Sequence, residues 1–469
     1  MTLSLSAGPA PVASDTGIGP IGDALPVGAT QSLASMARAD GVRFLLATFT
    51  TLTGKPCSKL VPVEAADQLE GEGVGFAGYA AGAMGQQPTD PDVVALPDVR
   101  SYAPLPSVRP GLGIVHCDPH VGGVPFAFAP RVLLREQVRR AGELGLSLST
   151  GAEVEYFLVH RGADGRLTTA DTRDDADHPC YDARGLTRMY DHLAAVSDVM
   201  SELGWGPYAS DHEDGNGQFE QNFHYSDVLT TADRVVTLRY VIQMLAEQRG
   251  MTATYMPKPF TDRTGSGLHL HLSLWGEDGP RFPAAGQPDA KGLGLSPLGY
   301  SFVAGLLEHA PALHALITPT VNSYKRTGAT TTASGATWAP RAATYGGNDR
   351  TVLVRVPDEH RVELRAGDGS ANPYLASAGA LGAGLDGVRR DLDPGAVGQR
   401  DPGSSPPLPR TLLDAVHALE QDAVVRGVLD AVDPTAGVSA YYAELKREEF
   451  YAWHNTVSPW EIDRYLTSV

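Results

Sequence analysis

Three stretches of the chain alternate apolar and polar side chains with the period of two that marks a strand buried on one face. They are GAEVEYFLV at 151–159, GSGLHLHLSLW at 265–275 and RVELR at 361–365. In the first, Glu153 and Glu155 share a face; in the second, His269, His271 and Ser273 oppose a row of leucines. In the third, Arg361, Glu363 and Arg365 oppose Val362 and Leu364. The run from Val42 to Val63 is β-branched and aromatic around a Thr-Gly-Lys turn, which predicts a hairpin in a small first domain ending near Pro119. Residues 185–204 and 296–317 instead repeat apolar positions at helical spacing, with Gly, Ser or Pro at their ends. The larger domain is therefore mixed α and β. A Pro/Gly/Ser-rich loop at 391–410 precedes a last helical segment carrying Trp453 and Trp460, and no internal repeat is found.

Composition bounds this picture. A chain of 469 residues exceeds one ordinary core, so a first domain over 31–119 and a larger one over 120–469 are expected. Residues 1–30 are rich in Ala, Gly, Pro and Ser and bury too little to fix a conformation; a disordered leader is expected there. With 37 basic and 55 acidic residues the formal charge is −18, which repels nucleic acid and anionic membrane. A nucleotide substrate would need local Arg and divalent metal to offset that charge. Cys57, Cys117 and Cys180 form no Cys-x-x-Cys pair, so neither a disulfide framework nor a zinc site is indicated. The absence of a bilayer-length apolar run or signal peptide leads to the expectation of a cytoplasmic protein.

The polar faces carry the candidate chemistry. Paired glutamates usually mark a solvated strand face, yet Val154, Tyr156, Phe157 and Leu158 indicate a half-buried one, where two carboxylates need a cation such as Mg²⁺ or Mn²⁺. HEDGNGQFE at 212–220 sets Glu213 and Glu220 around a Gly-Asn-Gly turn, either as an acidic surface turn or as a hairpin returning both acids to one site. The Gly-Ser-Gly before the histidines permits close backbone approach to a ligand. Arg326, Arg350, Arg355, Arg361 and Arg365 are guanidinium groups able to bind phosphate or carboxylate. Strict alternation does not aim Arg350 and Arg355 together, so one of them needs a bulge or a loop position.

Taken in order, GAEVEYF, HEDGNGQFE, MPKPF, GSGLHLHLS, PTVNSYKR, NDRTVLVRVP, RVELR and ANPYLA resemble the glutamine synthetase family from about Val42 to Gly387. GFAGYAAGAMGQQPTDPD, YDARGLTRMYDHL, and SGATWAP followed by YGGNDR are most similar to its γ-glutamylmethylamide synthetase branch. The resemblance implies an α+β fold: a β-grasp N-terminal domain and a larger α/β catalytic domain with a curved antiparallel half-barrel sheet. It also implies a homo-oligomer of stacked hexameric rings, a dodecamer, with active sites between subunits. By motif, Glu155, Glu213 and Glu220 would hold one divalent metal, and Glu153, His269 and Glu363 the other. His271 and Ser273 would contact ATP, with Arg350, Arg355 and Arg361 near its phosphates. Arg326 and Arg365 would grip glutamate beside the backbone at Gly265.

The implied chemistry is transfer of the ATP γ-phosphoryl group to a glutamate carboxylate, followed by attack of an amine on the acyl phosphate. Two acids that serve ammonium in the ammonia-using members are missing: Thr51 stands at one place, in FTTLTGK, and Trp338 at the other, in GATWAPR. The acceptor is therefore expected to be an organic amine, either methylamine-like or weakly basic as an aniline is. An ammonia-using glutamine synthetase and a non-catalytic regulatory relative are the alternatives. The 391–410 loop has no Tyr, so adenylylation control is not expected.

Overall fold

Two sheets organise the chain. The computed structural model describes residues 31–286, 289, 291–329, 332–334, 336–398 and 407–468; the leader expected at 1–30 and the middle of the 391–410 loop lie outside the described residues. In the first sheet, Phe44–Thr50 pairs antiparallel with Pro56–Pro62 and parallel with Leu112–Val121, after which come Val93–Pro97 and Val74–Phe76. The expected hairpin forms. Its turn closes where the Thr51 N–H donates to the Lys55 carbonyl at 3.0 Å, and Gly54 takes the left-handed conformation at φ +86°. The sheet continues beyond Pro119 through Val121 and the short return strand Val124–Pro125.

The second sheet is built on the fifteen-residue strand Ser147–Arg161. Its strand order is Pro207–His212, Gln218–Phe223, Ser147–Arg161, Leu268–Gly276, Arg361–Leu364, Val354–Asp358, Tyr345–Gly346. Every neighbour pair on that path is antiparallel except the last. The alternation read from the sequence sets the two faces. Leu148, Ala152, Val154, Tyr156 and Leu158, the leucines of Leu268–Gly276, and Val362 and Leu364 enter the core. There they meet Val235, Leu238, Val241 and Ile242 of the helix Val228–Glu247. The opposite face is left to the polar residues.

Both long helical stretches are interrupted. Residues 296–317 form Pro297–Glu308 and Ala310–Ile317, broken at His309, because Pro311 has no N–H to donate and its ring crowds the carbonyl one turn back. Residues 185–204 form Ala183–Arg188 and Tyr190–Glu202, with Met189 out of helical geometry between them. The Pro297–Glu308 helix and the Ala- and Gly-rich Pro373–Arg389 approach so closely that a Cβ on Gly305 would lie 2.1 Å from the Ala383 carbonyl oxygen. A buried Arg131 joins the first sheet to the helical layer. It forks onto Asp233 at 2.9 and 2.8 Å and reaches Asp118 at 2.6 Å and Asp98 at 3.0 Å.

Candidate active site

Cross-strand register gathers the polar face into one constellation. Glu155 lies opposite Glu220, which lies opposite Asp211; Glu153 is flanked by Asn222 and His269; His271 lies opposite Glu363, and Glu363 opposite Arg355. Residues directly opposite in an antiparallel pair share a face, and so do residues two apart in one strand, so these side chains all project to the same side. HEDGNGQFE is a hairpin rather than a surface turn: the Glu213 N–H donates to the Gln218 carbonyl at 2.9 Å, with Gly217 at φ +80°. Asp174 braces this turn from outside, accepting from His212 Nε2 at 2.9 Å, from Asn216 and from the Gly217 N–H.

Glu153 Oε2 faces His269 Nδ1 at 2.7 Å and Oε1 faces His271 Nε2 at 2.9 Å. Glu155 Oε2 accepts from the Gly267 N–H at 2.7 Å and from Gln218 Nε2 at 2.9 Å. Glu363 is fully buried and held by Arg355 at 2.9 Å and by Arg365. Arg326 is buried beside Glu155, with Nη1 donating to the Ala366 carbonyl at 3.0 Å. Gly267 is the point of closest approach: a Cβ there would stand 2.7 Å from His269 Nε2, 2.8 Å from Glu155 Oε1 and 3.0 Å from Arg326 Nη2.

The acids are not electrostatically alike. Burial pushes Glu153 up, but the two imidazoles outweigh it and hold the carboxyl well below the usual range; Glu363 is also lowered against its burial, by His269 and Arg365. Glu213 and Glu220 go the other way. Burial, reinforced by the charges of Glu155 and Glu153, pushes both up, Glu213 to about 8, and Asp211 is raised by burial and Glu153. Buried carboxylates that repel one another without a facing protein cation call for a positive ion, and oxygen donors of this kind suit a hard divalent one. Donor atoms of Glu153, His271 and Glu363 lie within 4.8 Å of one another. The set implied by the resemblance has His269 with Glu153 and Glu363, and His269 also lies among these acids. His269 turns Nδ1 to Glu153 at 2.7 Å, with Glu363 Oε1 at 3.7 Å, and its buried Nε2 has no partner. Glu153 and Glu363 with these imidazoles thus fit a divalent ion, while Glu155, Glu213 and Glu220 belong to a buried acidic group whose mutual repulsion a second ion would relieve.

Other expected residues fall at different distances from this centre. Arg355 is on the strand and Arg350 in the turn before it, which resolves their five-residue spacing. Arg361 is exposed and bends to Asp358 at 3.0 Å rather than following Glu363, because it opens its strand, where that acid is one turn away. Ser273 Oγ donates to the His360 carbonyl at 2.8 Å. Gly265 packs under Arg326, its own carbonyl accepting from Gln218 Nε2 at 3.2 Å. Thr51 is 0% exposed, its Oγ1 3.1 Å from Thr53 Oγ1 and its carbonyl accepting from Asn372 Nδ2, so within the single chain its side chain offers nothing to a substrate. Trp338 is 40% exposed and donates Nε1–H to Asp214 Oδ2 at 2.8 Å. Asp211, Asp214 and Gln218 were missed, whereas Gly267 closes the Gly-Ser-Gly already read as a point of close backbone approach; the first two belong to the same acidic run as Glu213, and pairing with Glu220 shows Asp211 to be on its face.

Such a site, with buried carboxylates beside guanidinium groups on one sheet face, is one for divalent metal and an anionic substrate. The family description "Glutamine synthetase, catalytic domain" matches residues 127–465. A glutamine synthetase of Rhizobium leguminosarum bv. phaseoli is 41% identical over 444 residues, 93% of this chain and 99% of the relative. A glutamate–methylamine ligase of Methyloversatilis universalis is 39% identical over 436 residues, 91% of this chain and 96% of the relative. A solved GmaS/ADP complex superposes with a TM-score of 0.86 at 44% identity, covering 93% of this chain and all of that one. The chain belongs to the glutamine synthetase family, and its fold is that family's: mixed helix and sheet, with a nearly closed curved sheet.

Proposed function

We propose that the protein joins the side-chain carboxylate of L-glutamate to an organic amine, using ATP and Mg²⁺ or Mn²⁺, through a γ-glutamyl phosphate. The observation that carries this reading is Trp338. At the position where an ammonia-binding acid is implied, the chain has an aromatic ring whose N–H is bound to Asp214, and the Asp214 oxygen it binds is already shared with two other donors. The similarity to a glutamate–methylamine ligase supports an amine acceptor.

Bound metal would supply charge neutralisation at the phosphoryl group in flight. The chain's own residues do the rest. Arg326 and Arg365 hold the glutamate carboxylate, Arg355 and Arg350 neutralise phosphate oxygens, and His271 lies toward the nucleotide with Ser273. The sheet face fixes these groups before substrate arrives, so the reaction is favoured by positioning rather than by a protein nucleophile. Arg361 serves the phosphates only after leaving Asp358, and in a cytoplasmic ring assembly with sites between subunits Thr51 contributes through the turn that buries it rather than by its own hydroxyl. Among the described residues no helix is long and apolar enough to cross a membrane.

Ammonia as acceptor is the second reading, favoured by the 41% identity to proteins named glutamine synthetase. Phosphate release with glutamate, ATP and Mg²⁺, across ammonia, methylamine, ethanolamine, a polyamine and aniline with products identified by mass, separates the two. Greatest turnover with one organic amine supports the proposal; greatest turnover with ammonia refutes it.

A further inference from the structure

Asp214 follows Glu213 in the turn of the acidic hairpin. Its Oδ2 accepts from Trp338 Nε1 at 2.8 Å, from Thr264 Oγ1 at 3.1 Å and from Ser334 Oγ. One carboxylate oxygen thus joins three segments: the turn that bears Glu213, the loop leading to Gly265 and Gly267, and the segment containing Ser334 and Trp338. A separate tie from the Ala333 N–H to the Asp262 carbonyl, at 2.8 Å, fastens the same segment to the same loop. Trp338 has φ +54°, a left-handed conformation that a bulky residue adopts only where its surroundings hold it. Its ring is partly exposed, so the bond to Asp214 is a principal restraint on it.

We propose that Asp214 is a positioning residue that holds the Trp338 segment against the active site and thereby keeps water from the acyl phosphate; this rests on the ligase reading above. The Asp214 oxygen nearest Trp338 already accepts three donors, so that oxygen holds the segment rather than taking up a proton. Asp214 and Glu213 are consecutive, so a cation that fixes Glu213 also steadies the anchor of the segment, and closure follows metal occupancy.

The acyl phosphate has two fates. When the amine nitrogen attacks the acyl carbon, the carbon–oxygen bond to phosphate breaks, phosphate leaves and the nitrogen loses a proton, giving the amide. When water attacks the same carbon, phosphate leaves and glutamate is regenerated, so ATP is spent without product. A loosened Trp338 segment shifts the balance toward the second fate.

The test measures phosphate released per amide formed, together with hydrogen exchange of peptides covering 332–342 in the full-length protein with and without Mn²⁺. Asp214→Ala is expected to raise the ratio on the order of tenfold and to abolish Mn²⁺-dependent protection of the segment, leaving the KM for ATP unchanged. Asp214→Asn, which keeps one acceptor oxygen, falls between. Trp338→Phe removes a single donor and moves both readouts in the same direction with little risk to folding. An unchanged ratio and unchanged exchange in Asp214→Ala and Trp338→Phe overturns the proposal. If ammonia is the preferred acceptor, the ratio is measured with ammonia, so the organic-amine reading can fail while the anchor stands. If no acceptor turns over, the exchange measurement alone decides.

Discussion

Arg355 Nη1 lies 2.9 Å from Glu363 Oε2 across a directly opposed strand pair, while Arg365 holds the other oxygen of the same carboxylate. Glu363 is therefore fixed in direction by the protein itself, and a metal that binds it meets an oriented ligand without an ordering cost. Glu363→Gln keeps the shape but removes the charge that all three cations share. We expect activity to fall by at least about 100-fold, with a matching weakening of Mn²⁺ binding, as for loss of a metal ligand or its close support. Titration of Mn²⁺ followed by calorimetry checks this, and undiminished affinity would remove Glu363 from the metal centre.

Gly267 gives a second prediction, because three functional atoms lie within about 3 Å of where its Cβ would be. The atoms that Gly267→Ala meets are side-chain ends, but each side chain is held elsewhere: His269 at Glu153, Glu155 at Gln218 and Arg326 at the Ala366 carbonyl. Activity is expected to drop about 100-fold or more, with the unfolding midpoint nearly unchanged, since the methyl points into the cleft rather than the core. Circular dichroism alongside the kinetic assay distinguishes this from general unfolding.

Much of this constellation was legible before any coordinates. Glu153, Glu155, His269, His271 and Glu363 lie on strands whose alternation names the face they occupy, and the period of two is a local property. What the alternation could not tell was which strand lies beside which. Only pairing puts His271 opposite Glu363 and His269 opposite Glu153, and it is side-chain direction within that face that brings His271 to the three-donor group. The break at His309 was readable from Pro311 but is masked by continuous apolar spacing on both sides. Asp214 resisted for a different reason: its partners Thr264, Ser334 and Trp338 are 50 or more positions away, in segments without periodicity.

Arg131 carries a third prediction. Its guanidinium, 3% exposed, faces Asp233, Asp118 and Asp98; Arg135 also reaches Asp98 and Asp118, so removing Arg131 strands above all the buried Asp233 where the first sheet meets the helices. Breaking a buried ion pair by deleting one partner costs about 3–5 kcal/mol. Arg131→Met is expected to lower stability to urea by that order. Adding Asp233→Asn should recover part of the loss, because it removes one of the stranded charges; a double variant no more stable than the single one would show that these charges are not coupled.

The last prediction concerns pH. His309 sits at the helix break, with Nδ1 2.7 Å from Asp422 and Nε2 3.0 Å from Asp386, so one imidazole bridges two further helical segments. Burial pushes its pKa down, but the two carboxylates outweigh burial and raise it; both aspartates are lowered in turn. Arg390 also bonds Asp386 at 2.8 Å, and Glu308 lies 3.8 Å from Arg390, so the cluster holds two cations and three acids. A raised native pKa means that the stabilisation from His309 is fully present below its unfolded value of about 6.5 and is lost as pH rises through the native value. The aspartates act in the opposite sense: their contribution is present above about 3.9 and is lost as pH falls through their lowered native values. The stability difference between the native protein and His309→Gln is therefore expected to be greatest between about pH 5 and 6 and to shrink above about pH 7. Urea unfolding of both proteins across that range measures it. A difference that stays constant with pH would mean that His309 is neutral throughout and that its two bonds are those of an uncharged ring.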